Sequence, residues 1–205
     1  MKEFLKRAYT VMEIRTGFAT GLPILSGGLY GAYLSGSLKF WTLVWFFISG
    51  FSFNIVANVA NEIRGYLKKE ENESTMTGHK GSEGLVRGDA TLKDALIVLV
   101  GFLALGGISG LMVVLLTKSL FILGMGLLGA LAAVTYSLGP KPYIVYPIGE
   151  AISGLFVGGL SSFLSTAIQV GNLTPEIVLY ACIPMMMTVF LMSTNNTSDY
   201  EKDKG

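Results

Sequence analysis

Charge is scarce in this sequence, and where it is missing says more than how little there is. Asp, Glu, Lys and Arg make up 14% of the 205 residues, against 51% hydrophobic ones. None of them falls within six stretches: Gly17–Ser37, Phe40–Asn61, Ala95–Thr117, Ser119–Leu138, Ala151–Val170 and Ile177–Thr194. That scarcity argues against a large soluble helical core, whose outer faces would need charge. A bilayer core takes roughly 20 apolar residues per spanning helix, and each stretch comes near that length. Cysteine occurs once, as Cys182 inside an apolar stretch, which excludes a disulfide framework and leaves packing as its role. Histidine also occurs once, and His79 in a hydrophilic loop reads as a surface residue, not a metal ligand. Met1–Arg15 lacks a signal-peptide core or cleavage pattern. It is charged and amphipathic, and is expected to lie on the membrane surface ahead of the first span. The expected fold is all-α, one polytopic transmembrane bundle of about six spanning helices over residues 1–205. The bilayer is its expected surroundings, and no nucleic acid is expected among its partners.

What is abundant supports this. There are 26 glycines, and Gly106-xxx-Gly110 and Gly154-xxx-Gly158 place small residues one turn apart, where helix backbones can approach closely. The net charge of +1 is uninformative, but its distribution is not. With the N-terminus inside, the arm before the first span and the loops after the second and fourth join the tail on one face. That face carries thirteen of the fifteen Lys and Arg, leaving Lys39 and Lys118 on the other. The positive-inside rule then puts both termini in the cytoplasm of a multi-pass cell-membrane protein.

Two polar clusters interrupt the apolar pattern. The last apolar run leads into Asn195-Asn196-Thr197-Ser198-Asp199-Tyr200-Glu201-Lys202-Asp203. Positions four apart share a helix face, so Asn195, Asp199 and Asp203 align, and two carboxylates at that spacing repel unless a cation lies between them. Oxygen ligands of this kind suit Mg²⁺ shared with substrate phosphates. The second span ends in Asn54, Asn58, Asn61 and Glu62, close to one stripe. Such groups at the end of an apolar helix are costly unless they face a wet cavity or a ligand. The loop that follows, Ile63–Asp94, is the one extended hydrophilic stretch, a length that is usually functional or disordered. Both clusters lie on the cytoplasmic face by the orientation argument. Together they suit a substrate with a phosphate-bearing head and a greasy tail, whose departing diphosphate metal and lysines would stabilise.

These motifs resemble those of the UbiA superfamily of intramembrane prenyltransferases, which carry Asp-rich motifs at the cytoplasmic ends of the second and sixth helices. Asn195-Asn196-xx-Asp199-xxx-Asp203 is similar to the second motif. Asn58-xx-Asn61-Glu62 resembles the first, usually Asn-xx-Asn-Asp-xx-Asp. Tyr136-Ser137-Leu138-Gly139-Pro140-Lys141-Pro142, then Tyr146 and Gly149-Glu150, resembles the menaquinone branch, the 1,4-dihydroxy-2-naphthoate polyprenyltransferases. Arg15 and Pro23 also fit that branch.

The resemblance implies a Mg²⁺-dependent transfer in which diphosphate leaves a polyprenyl diphosphate and the allylic cation alkylates an aromatic acceptor. It implies that Asn195, Asn196, Asp199 and Asp203 hold Mg²⁺ from one side and Asn58, Asn61 and Glu62 from the other. Lys68, Arg87 and Lys141 are the implied diphosphate contacts. Tyr136, Tyr143 and Tyr146 would line the cation's path, or else form an interfacial belt. Glu150 would be an acceptor-site carboxylate or an interfacial residue. The acceptor implied is 1,4-dihydroxy-2-naphthoate, while sister branches use 4-hydroxybenzoate, a chlorin or a glycerol-phosphate lipid.

Two features depart from the pattern. Glu62 replaces the first aspartate of the first motif, and Gly65 stands where the second is expected. The family fold has nine helices, so its last three are expected to be absent from a chain that reaches Gly205 just after the second motif. A fragment, a split gene whose separate chain supplies the rest, and an inactive copy all fit that pattern. The alternative function is accordingly an impaired relative that binds isoprenoid lipid or a partner protein. A transporter is disfavoured, because its polar residues would sit at midspan in interrupted helices.

Overall fold

The structure is a computed structural model that describes residues 2–68, 84–138 and 148–200, with the side chains of 68 and 195–200 left undescribed. Among the described residues the chain forms seven helices and no strand. They are α1 (Lys2–Met12), α2 (Gly17–Ser35), α3 (Phe40–Lys68), α4 (Leu92–Thr117), α5 (Leu120–Ser137), α6 (Gly149–Val170) and α7 (Pro175–Tyr200). Five of them, α3 to α7, are long and apolar enough to cross a membrane. The sixth expected span, α2, is a helix of 19 residues but falls short of that measure. Five glycines, Pro23 and two tyrosines dilute its apolar content.

The stops between helices come from local chemistry. Gly36 and Gly171 end α2 and α6 in the left-handed conformation, where a side chain would be strained. Thr91 begins α4 with a capping box, its hydroxyl accepting the Asp94 N–H while the Asp94 carboxylate accepts the Thr91 N–H. Ser119 caps α5 through the Ile122 N–H.

Side-chain contacts fix the directions of the helices. Gly17 and Gly21 of α2 lie against Phe51 and Phe47 of α3, so those two helices run antiparallel. The Ser49 hydroxyl donates to Gly106 O at 2.9 Å, while the Ile63 end of α3 meets Ala95, which makes α4 antiparallel to α3. Helix α6 runs parallel to α2: Ser165 Oγ donates to Ile24 O at 2.6 Å and Thr166 Oγ1 to Gly27 O at 2.9 Å. Gly154 and Gly158 of α6 pack on Val189 and Pro184 of α7, again antiparallel. The starts of α2, α4 and α6 and the ends of α3, α5 and α7 therefore share one face of the bundle.

Helix α1 lies at that face. It buries Ala8 and Val11 against Ile55, Val59 and Ile63 of α3, Ala95 and Val98 of α4, and Leu85 and Ala90 of the turn before α4. Arg7 Nε reaches Asp94 Oδ2 at 3.0 Å. With Arg7 substantially exposed that pair is screened by solvent, so the apolar contact is what seats α1.

The α2–α6 contact depends on a missing side chain. A Cβ at Gly27 would come within 2.5 Å of Ser162 O, a backbone atom that cannot step aside. Gly27→Ala is expected to destabilise the bundle by about 1–3 kcal/mol, read from thermal unfolding in detergent. Gly107→Ala in α4, with nothing within 4 Å, should leave stability unchanged or raise it by up to about 1 kcal/mol. Equal behaviour of the two variants would contradict this packing.

Candidate functional site

A cavity of about 460 Å³ opens within the bundle, at the face where α3, α5 and α7 end. The arrangement of its walls follows from the helix directions. Asn54, Asn58 and Asn61 come from the last turns of α3, at i, i+4 and i+7 on one stripe. Glu13 and Thr16 come from the turn into α2, Tyr136 and Ser137 from the end of α5, Ser153 from the start of α6, and Thr188 and Met192 from α7. Further in, the lining becomes mainly apolar, with Phe46, Phe53, Met125, Leu160 and Leu164. The middle of α6, Gly154–Leu160, is wound as a π-helix and supplies Phe156, Val157 and Leu160 to the wall. A π segment inside an α-helix is frequent at functional sites.

The amide stripe is held by its neighbours. Asn58 Nδ2 donates to Thr16 Oγ1 at 2.5 Å and lies 3.3 Å from Asn54 Oδ1 and 3.4 Å from Met12 O. Thr16 Oγ1 in turn lies 2.9 Å from Glu13 O and 3.1 Å from Asn54 Oδ1. With its NH₂ group engaged on that side, Asn58 keeps its carbonyl oxygen, the end a hard cation binds. Thr16 and Glu13 carry no motif in the sequence, and only the turn before α2 brings them to α3. Asn54 was visible as part of the polar stripe.

Glu62 falls elsewhere. One residue past Asn61 turns about 100° around the helix. Its buried carboxylate accepts the Leu85 N–H at 2.8 Å, and it does not line the cavity. Arg87 pairs with Asp89 at 3.2 Å, in the turn before α4, also outside the cavity wall. Glu150 opens α6 and accepts a hydrogen bond from the Ser193 hydroxyl, which ties the start of α6 to the end of α7. Tyr136 lines the cavity, half-buried.

The helical backbone of α7 continues through Asn195, Asn196 and Asp199 to Tyr200, so Asn195 and Asp199 stand one turn apart. Their side chains, with those of Asn196 and Lys68, lie outside the described residues, as do Lys141, Tyr143, Tyr146, His79 and Asp203 altogether. Among the described residues no three His, Cys, Asp or Glu gather where they could hold a metal ion. The described half of the site is built from amides and hydroxyls, with Glu13 as the one carboxylate on its wall.

The profile of the UbiA prenyltransferase family matches residues 4–205. The chain is similar to the 1,4-dihydroxy-2-naphthoate octaprenyltransferase of Escherichia coli (strain K12), with 28% identity over 152 residues. That alignment covers 73% of this chain and 49% of the relative. It is also similar to the enzyme of the same name from Haemophilus influenzae (strain ATCC 51907 / DSM 11121 / KW20 / Rd), 26% identical over 151 residues, with the same shares of 73% and 49%. The chain thus spans about half the length of the curated relatives it matches, and no solved structure matches it. By the match along nearly its whole length, this chain belongs to the UbiA prenyltransferase family.

Proposed function

We propose that this chain transfers a polyprenyl group from polyprenyl diphosphate to 1,4-dihydroxy-2-naphthoate in menaquinone biosynthesis. The observation that carries the reading is one cavity with an amide-lined mouth and an apolar interior, walled by both α3 and α7. The two curated relatives bear the name of that activity. The protein would sit in the cell membrane with both termini and the cavity mouth on the cytoplasmic side, in keeping with the distribution of Lys and Arg.

The donor set suits Mg²⁺. Asn58 and Asn61 would offer amide oxygens from α3, and Asn195, Asn196, Asp199 and Asp203 would add oxygens from the α7 side. When bound, Mg²⁺ supplies charge neutralisation for the departing diphosphate. Lys68 and Lys141 are the proposed cationic partners of the diphosphate. The chain's own residues do the rest. The apolar lower wall excludes water from the allylic chain, and Tyr136 presents a ring where the C1 carbon would carry positive charge. The ring carbon of the acceptor then bonds to C1 as the diphosphate oxygen leaves with its electron pair, and that ring carbon gives up its proton, or its carboxyl group as CO2, to restore aromaticity.

A second reading has its own support. Glu62 spends one carboxylate oxygen on the Leu85 N–H, and Gly65 offers no side-chain ligand. A chain with this first motif would bind isoprenoid diphosphate without turning it over.

Membranes carrying the chain, given labelled polyprenyl diphosphate, Mg²⁺ and each acceptor in turn, are expected to form product with dihydroxynaphthoate. Asp199→Ala should lower turnover on the order of a hundredfold. Retained diphosphate with no product under any acceptor would favour the second reading, and full activity in Asp199→Ala would contradict the metal assignment. Thr16→Val removes the acceptor that holds the Asn58 amide. It is expected to raise the Mg²⁺ concentration for half-maximal rate by about tenfold, with excess Mg²⁺ restoring the rate. An unchanged Mg²⁺ dependence would show that Thr16 does not position Asn58.

A further inference from the structure

A second cavity, of about 310 Å³, opens at the opposite end of the bundle, where α2, α4 and α6 finish. The proposed prenyl transfer makes no use of it. Its polar lining gathers Lys39 from the α2–α3 turn, Thr42 from the first turn of α3, Thr117 and Ser119 around the start of α5, and Asn172 from the α6–α7 turn. The rest of its wall is apolar and includes Ile122 and Leu173.

Lys39 is one of only two Lys or Arg that the sequence leaves on this face; the other, Lys118, sits between Thr117 and Ser119. The Lys39 ammonium donates to Ile168 O at 2.9 Å, at the last turn of α6, so its charge is drawn over the cavity edge. Its backbone N–H donates to Gln169 Oε1 at 2.7 Å, and Gln169 is fully buried, which fixes the turn that carries it. An ammonium has three N–H donors, so further ones remain for a ligand. Thr42 is 8% exposed and lines the cavity, yet its hydroxyl makes no hydrogen bond among the described residues. The Thr42 hydroxyl therefore keeps its O–H for a ligand in this cavity. Glu176 is the one carboxylate among the described residues near this end, and it is not part of the cavity wall.

We propose that this cavity binds a phosphoryl group, with Lys39 supplying the charge and Thr42 a hydroxyl donor. A single cation, neutral hydrogen-bond donors and an apolar wall fit a phosphodiester whose acyl chains run down the outside of the bundle. The same chemistry would accept free phosphate. The site does not depend on the catalytic reading, since no cavity-lining residue is shared with the first cavity.

The test is native mass spectrometry of the full chain in a neutral detergent, titrated with dioleoyl phosphatidylglycerol or with dioleoylglycerol, which lacks the phosphate. Lys39→Gln is expected to weaken phosphatidylglycerol retention by about tenfold at one site, and Thr42→Val by about threefold. Lys39→Arg should retain most of the binding. Should Lys39→Gln fail to fold, the near-isosteric Thr42→Val still decides. Displacement of the lipid by millimolar inorganic phosphate assigns the site to the phosphoryl group alone, and persistence assigns it to the whole lipid. Equal retention of the two lipids, or phosphatidylglycerol binding unchanged in Thr42→Val and Lys39→Gln, would overturn the proposal.

Discussion

The carbonyls of Ile24 and Gly27 in α2 serve a second helix as well as their own. They accept hydroxyl protons from Ser165 and Thr166 of α6. That is possible only because Gly27, Gly28 and Gly31 present no side chains, so the α6 backbone can come against α2. In a bilayer there is little hydrophobic drive between helices, and close backbone approach with hydroxyl-to-carbonyl bonds takes its place. The placement of α6 and α7 follows from this contact. It fixes α6 parallel to α2, and α6 then carries its π-wound middle and α7 into the wall of the cavity.

The same rule decides where polarity is tolerated. Buried hydroxyls such as Ser49, Ser165 and Thr166 spend their O–H on carbonyls of neighbouring helices and have no donor left for a ligand. The amides of α3 are different. Asn58 has its NH₂ group engaged by Thr16, Asn54 and the Met12 carbonyl, which leaves its own oxygen uncommitted. A polar mouth over an apolar interior is what a molecule with a charged head and a hydrocarbon tail requires.

Much of this was legible in the sequence, because a bilayer imposes length and apolarity on its spans. Charge-free runs located α3 to α7, and the asparagine spacing put 54, 58 and 61 on one face. The glycine pairs at 106/110 and 154/158 marked real contacts with α3 and α7. Three things were not legible. Glu62 looked continuous with the amides, but its neighbour in space is Leu85, and a single residue of helix rotation separates it from the cavity. Thr16 has no signature at all, since its role comes from a turn that depends on α1 docking against α3 and α4. The charge-free run of α2 reads as a span, but nothing in it tells that its glycines carry the contact with α6.

The central claim is that the ends of α3 and α7 act on one divalent ion from opposite walls of a shared cavity. A double-mutant cycle on Mn²⁺ binding, followed by electron paramagnetic resonance with pyrophosphate present, tests it most directly. With Asn58→Ala and Asp199→Ala, each single change should weaken Mn²⁺, and the double variant should be weakened by clearly less than the product of the two. Strictly multiplicative effects, or Mn²⁺ affinity indifferent to either change, would mean the two helix ends do not share an ion.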